Sequence, residues 1–179
     1  YLLVFPLIGA FWTFAFRDSP SAPRLIALAT TLFTLGISIY VFLKQADLFG
    51  DGSSTGSGFV LVEEYVWAPN LGISLLLGVD GLSSPMVLLT GIIAPLTVLF
   101  SWHEKERPAL FFSLLLIMQT ALYGVFITLD YFVFYIFWEV VLIPMFFLIA
   151  IWGGDNRKYA SVKFFIYTFT ASVIMLVGF

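Results

Sequence analysis

An all-α integral membrane protein is the fold class this sequence predicts, and three observations predict it. Of 179 residues, 61% are hydrophobic and 11% are charged, where a soluble domain averages about 45–50% apolar and about 25% charged. The few charged residues cut the chain into uncharged runs close to the roughly 20 residues that cross a bilayer. The charges that remain alternate in sign bias from one connection to the next. With a mean hydropathy of +1.04, lipid is the solvent that most side chains require. The expectation is about six transmembrane helices in a single unit, 1–179, with an external loop at 47–80 that carries a short β-hairpin on the outer side.

The runs define the elements in order. Residues 1–16 are the first span, a truncated helix, and residues 25–43 are the second. The third, 82–102, follows the Asp80-Gly81 turn signal. There Ser83 or Ser84 is placed to cap a helix with Pro85 at its first position. The fourth, 109–129, opens after Pro108, which suits a first helical turn. The fifth, 131–152, carries one charge, Glu139. The sixth starts near Ser161 and continues to Phe179. Residues 50–58 are a Gly/Ser-rich polar loop. Residues 59–67 are β-branched and aromatic, and 72–79 follow beyond Pro69-Asn70. They read as a hairpin on the membrane surface, since the run 65–79 is too short and interrupted to span.

Arg17, Arg24, Lys105, Arg107, Arg157, Lys158 and Lys163 all fall on one side of this arrangement. Lys44 stands alone on the other, with Asp47, Asp51, Glu63, Glu64, Asp80 and Asp130. The positive-inside rule places the basic loops in the cytoplasm or its equivalent, with the first residue and the hairpin outside. The expected setting is a prokaryotic inner membrane or an organelle inner or thylakoid membrane.

A net charge of −3 with no basic face argues against nucleic acid. The absence of cysteine removes disulfides, thiolate metal sites and iron–sulfur ligation by this chain. His103, the single histidine, cannot build a metal site alone. Both ends lie inside apolar runs, which reads as a piece of a longer protein.

Glu139 is the residue that promises chemistry. About eight residues precede it in its span and thirteen follow. An ionisable group at that depth costs about 2.5–3.5 kcal/mol on insertion scales, so it is kept for a proton path, an ion site or an ion pair. Burial favours the neutral acid and a nearby cation favours the carboxylate, so a carboxyl balanced between them can load and release a proton. The plainer reading is a structural ion pair or hydrogen bond between helices. Pro144, five residues on, frees the carbonyl of Val140 beside the acid. It either admits water there or only shapes packing. Lys163 either snorkels with Arg157 and Lys158 or lines the cytoplasmic entry to a proton path. Gln119, Thr120 and Tyr123 in the fourth span, and Tyr167, Thr168, Thr170 and Ser172 in the sixth, serve as interhelical hydrogen-bonding groups or as the lining of a water wire. Trp102 and Trp152 are placed as interfacial anchors.

Residues 137–154, Phe-Trp-Glu-Val-Val-Leu-Ile-Pro-Met-Phe-Phe-Leu-Ile-Ala-Ile-Trp-Gly-Gly, carry a family resemblance. So do Leu-Gly-Val-Asp-Gly-Leu-Ser at 77–83 and Lys-Phe-Phe-Ile-Tyr-Thr at 163–168. Together, in this order and spacing, they resemble subunit M of NADH-quinone oxidoreductase, the counterpart of mitochondrial NADH dehydrogenase subunit 4. The resemblance covers essentially the whole chain. It implies a proton-translocating antiporter-like subunit of about fourteen helices, of which these are the first six. It maps the family's essential span-five glutamate onto Glu139 and puts that residue's lysine partner on a seventh helix, beyond Phe179. The implied partners are other membrane-arm subunits of a respiratory complex I type assembly. No cofactor is expected in this chain; an NADH-like donor, flavin, iron–sulfur clusters and quinone would be handled by other subunits. Multisubunit cation/proton antiporters, membrane-bound hydrogenases and photosynthetic NAD(P)H dehydrogenase-like complexes have related subunits, and a non-transporting scaffold is the reading from another class.

Overall fold

The computed structural model describes residues 1–19, 21–50, 59–68 and 73–178. Its elements are α1 (Val4–Ala15), α2 (Ala22–Gly50), β1 (Val60–Ala68), β2 (Ile73–Val79), α3 (Ser83–Phe100), α4 (Pro108–Ile127), α5 (Tyr131–Trp152) and α6 (Arg157–Gly178). Among the described residues, α2 through α6 are long and apolar enough to cross a membrane, and the chain is an integral membrane protein. The 12 residues of α1 fall short of a full span. The expected count of about six thus resolves into five spanning helices and one shorter apolar helix.

Helix α4 is the core. It packs against α1, α2, α3 and α5, and 61% of its span is buried, against 17% for α5 and 11% for α6. Phe112, Leu116 and Ala121 on α4 are fully buried. Phe112 and Leu116 meet Ala10 of α1, Ala27 of α2 and Val98 of α3. Near the other end of α4, Tyr123 and Ile127 pack with Leu2, Val41, Val79 and Val87. Lipid tails are as apolar as these side chains, so close packing and hydrogen bonds rather than water exclusion hold such helices together.

Those hydrogen bonds run between α2 and α4. The Gln119 amide donates to Thr34 Oγ1 at 2.9 Å, and the Tyr123 and Ser38 hydroxyls meet at 3.0 Å. Ser113 reaches the Ala10 carbonyl of α1 at 3.1 Å. Gln119 and Tyr123 therefore join helices here. Their α2 partners, Thr34 and Ser38, are wholly buried.

The expected hairpin is present: β1 and β2 pair antiparallel, with Val60 opposite Val79 and Tyr65 opposite Leu75. The polar loop proposed within 50–58, except Gly50 at the end of α2, and the turn at Pro69-Asn70 lie outside the described residues. Strand β2 is seated on the α4–α5 connection. The Leu129 amide donates to the Leu76 carbonyl at 2.9 Å, and Leu77 bridges Thr128.

Two aspartates start the helices at this end. Asp80 Oδ1 accepts from the amides of Leu82 and Ser83 at 3.0 and 2.6 Å, and the Asp80 amide donates to Ser83 Oγ at 2.9 Å. Asp80 thus caps α3, where the sequence pointed to Ser83 or Ser84 as the cap and Pro85 as the first residue. The reason is charge: a carboxylate accepts more strongly than a hydroxyl at the positive end of a helix. The Ser83 amide beside Asp80 holds its carboxyl below the usual range, against partial burial. Asp130 caps α5 in the same way, accepting from Phe132 and Val133 at 2.9 and 3.0 Å.

The opposite end gathers the three basic connections. The Arg24 guanidinium donates to the Glu104 carbonyl at 2.8 Å, and the Trp152 indole donates to the Glu106 carbonyl at 2.8 Å while its ring meets Phe111 edge-on. Trp152 therefore does more than mark an interface: it fastens the end of α5 to the α3–α4 connection. Residues near 24, 104–106 and 152 converge at one end, as the alternation of charge requires.

Candidate functional site

Helix α5 is apolar along its whole length except at Glu139, and α6 packs beside it. Phe146 of α5 meets Phe165 of α6 edge-on, with centroids 5.7 Å apart, and the pair packs in one rotation. That rotation turns Ser172 of α6, which is 2% exposed, toward α5. Its hydroxyl is hydrogen-bonded to Glu139 Oε1, and Ser172 Oγ also lies 2.8 Å from the Phe169 carbonyl of its own helix. Tyr135, one turn before Glu139, lies near both Glu139 and Ser172. Partly buried Glu139 is thus held by a hydroxyl from the neighbouring helix. The one ion pair among the described residues joins Arg17 and Asp18 at 4.0 Å, far away in the sequence and exposed.

A carboxyl in this setting can do two things. Ionised, it accepts from the Ser172 hydroxyl, which partly replaces the water it has lost. Protonated, it can donate to a hydroxyl oxygen.

The other candidates separate from it. Pro144 lies inside α5 and is fully buried, and the helix runs unbroken through it from Tyr131 to Trp152. Lys163 is on α6, nine residues before Ser172, which at about 3.6 residues per turn puts it on the opposite face. It is exposed, with its ammonium 5.5 Å from the centre of the Tyr159 ring. The structure brings Glu139 and Ser172 together and leaves Lys163 apart from them. Thr168 and Thr170 donate to carbonyls of their own helix. Sequence reasoning missed Tyr135, although its spacing of four residues from Glu139 puts both on one helical face. Among the described residues no three His, Asp or Glu side chains gather in a way that could hold a metal.

The fold and site define a class: a polytopic membrane protein whose apolar bundle keeps one hydroxyl-bonded carboxyl within a span. The model for NADH-ubiquinone oxidoreductase chain 4, amino terminus, matches residues 25–125, and the chain belongs to this family. The model for the transmembrane region of NADH:quinone oxidoreductase and Mrp antiporters matches residues 128–179. The chain is 43% identical to F(420)H(2) dehydrogenase subunit M of Methanosarcina mazei over 178 residues, covering 99% of this chain and 34% of that protein. It is 42% identical to NAD(P)H-quinone oxidoreductase chain 4 1 of Synechococcus sp. over 177 residues, covering 99% of this chain and 32% of that protein. A chain of respiratory complex I from Thermus thermophilus superposes with a TM-score of 0.79 at 25% identity, over 98% of this chain and 34% of that one. The fold is shared also with a chain of an archaeal membrane-bound sulfane sulfur reductase, with a TM-score of 0.80 at 23% identity, over 99% and 35%. The chain therefore spans about a third of the length of the relatives it matches.

Proposed function

We propose that this chain is part of an antiporter-like subunit that moves protons in a redox-driven complex of the NADH-quinone oxidoreductase type, and that Glu139 is its proton-carrying residue. The observation that carries this is the Glu139 site: an ionisable group inside an apolar span, bonded to the Ser172 hydroxyl of α6. A purely structural role gives no reason to keep a carboxyl where an amide would bond as well. The relatives named above support the redox setting, since F(420)H(2) dehydrogenase and NAD(P)H-quinone oxidoreductase are named for it.

In this reading the chain performs no redox chemistry. Donor, flavin, iron–sulfur clusters and quinone belong to other subunits, and the chain's partners are its membrane-arm neighbours. Vesicles holding the complete complex should take up protons while donor is oxidised, and a protonophore should collapse the gradient. Donor oxidation by sealed vesicles with no proton movement overturns the reading. The match to a model that includes Mrp antiporters supports a second reading, a cation/proton antiporter subunit. Its mark would be exchange by a purified complex that lacks a donor-oxidising arm.

The basic connections face the cytoplasm or its equivalent in this proposal, and the β-hairpin faces outside, as the positive-inside rule requires. Lys105, which is exposed in the α3–α4 connection, should react with an impermeant amine reagent only after the cytoplasmic face is opened. Labelling from outside intact cells reverses the orientation.

A further inference from the structure

We propose that Ser172 answers the protonation state of Glu139 by turning its one hydroxyl hydrogen between two acceptors, so that the acid can load and release a proton without movement of either helix. This rests on the reading of Glu139 as a proton carrier.

Ser172 Oγ lies within hydrogen-bonding distance of two oxygens, Glu139 Oε1 and the Phe169 carbonyl, the latter at 2.8 Å. A hydroxyl has one hydrogen to give and lone pairs to accept with, so it cannot donate to both at once. When Glu139 is ionised it can only accept, and the charge-assisted bond takes the Ser172 hydrogen. When Glu139 is protonated the acid becomes the donor. Ser172 Oγ then accepts, and its own hydrogen turns to the Phe169 carbonyl. Both states are fully bonded with the heavy atoms in place, and the only motion is rotation about the Cβ–Oγ bond. No hydrogen leaves the serine oxygen; the exchanging proton stays on Glu139 until it departs by another route.

The rest of α6 shows what is particular here. Thr168 and Thr170 bond back to carbonyls of their own helix, Thr168 to Phe164 at 2.6 Å and Thr170 to Ile166 at 2.7 Å. That is the ordinary habit of hydroxyls in membrane helices. Ser172 keeps the same back-bond and adds a carboxyl on its other side. A carrier must hold its two states close in free energy, and leaving one buried polar group unbonded in either state would bias the balance by roughly ten-fold.

Ser172 is thus a positioning residue, and its test needs a readout that loss of packing would not move. In vesicles holding the complete complex, Ser172→Ala should lower the pumping rate about five- to ten-fold, the equivalent of one net hydrogen bond of ordinary strength. Ser172→Thr, which keeps the hydroxyl, should stay within about two-fold on the same scale. In infrared difference spectra the carbonyl stretch of protonated Glu139, assigned by its loss in Glu139→Gln, should move to higher frequency in Ser172→Ala and hold its place in Ser172→Thr. An unmoved band with normal pumping in Ser172→Ala overturns the proposal, and so does a Thr variant that behaves like Ala. If Glu139→Gln stops pumping while Ser172→Ala leaves both readouts unchanged, only the Ser172 proposal fails. Normal pumping in Glu139→Gln removes the reading of Glu139 and this proposal with it.

Discussion

Glu139→Gln should leave the complex assembled and reduce its proton pumping by at least about ten-fold, a barrier change of about 1.4 kcal/mol or more. Glutamine matches glutamate in size, and its carbonyl can still accept from the Ser172 hydroxyl that holds Glu139 now. What it lacks is the ability to ionise, so the substitution separates bonding from proton exchange. Glu139→Asp keeps the charge on a shorter arm. It reaches Ser172 less well and should retain partial activity, between the wild type and Gln. Proton uptake by vesicles, with donor oxidation and the amount of assembled complex measured alongside, decides the matter. An assembled Gln variant that pumps at the normal rate makes Glu139 a structural residue.

How far such a site could be read beforehand follows from what lipid penalises. Charged groups are costly inside a span, so they mark its ends well: α3, α4 and α5 begin and end within a few residues of the runs 82–102, 109–129 and 131–152. The same marks fail where helix and membrane part company. Helix α2 continues to Gly50, past Lys44, because a charged residue outside the lipid does not stop a backbone from being helical. Helix α6 begins at Arg157 rather than near Ser161 for the same reason. Glu139 stood out because one charge in an apolar span has a large cost that needs an explanation. Ser172 did not stand out from Thr168 or Thr170. A single hydroxyl costs little in a helix that offers it a carbonyl, and only the rotation of α6 against α5 shows which one meets the acid. Thr34 and Ser38 were hidden in the same way: their role depends on facing Gln119 and Tyr123 across the α2–α4 contact.

That dependence on rotation makes the α4–α5 contact a second place where a small change should have a large effect. A β-carbon at Gly124 of α4 would overlap Cδ1 and Cγ of Phe137 on α5. Cγ is the root of the ring, so the side chain cannot swing clear while its own Cβ stays in place. Gly124→Ala must therefore push the helices apart or rotate α5, and Phe137 is only two residues from Glu139. Overpacking of this kind costs about 1–3 kcal/mol in soluble cores. In lipid, where close packing does much of the holding, we expect most of the assembled complex to be lost. Phe137→Ala alone should also destabilise, by opening a cavity. In the double variant the new methyl enters space the ring has vacated, so its loss should be smaller than the sum of the two by at least about 1 kcal/mol. Yields of assembled complex and its thermal midpoint, measured for the four members of the cycle, give the answer. If Gly124→Ala alone assembles with the wild-type midpoint, α4 and α5 are not held at this distance, and the placement of Glu139 against Ser172 must have another support.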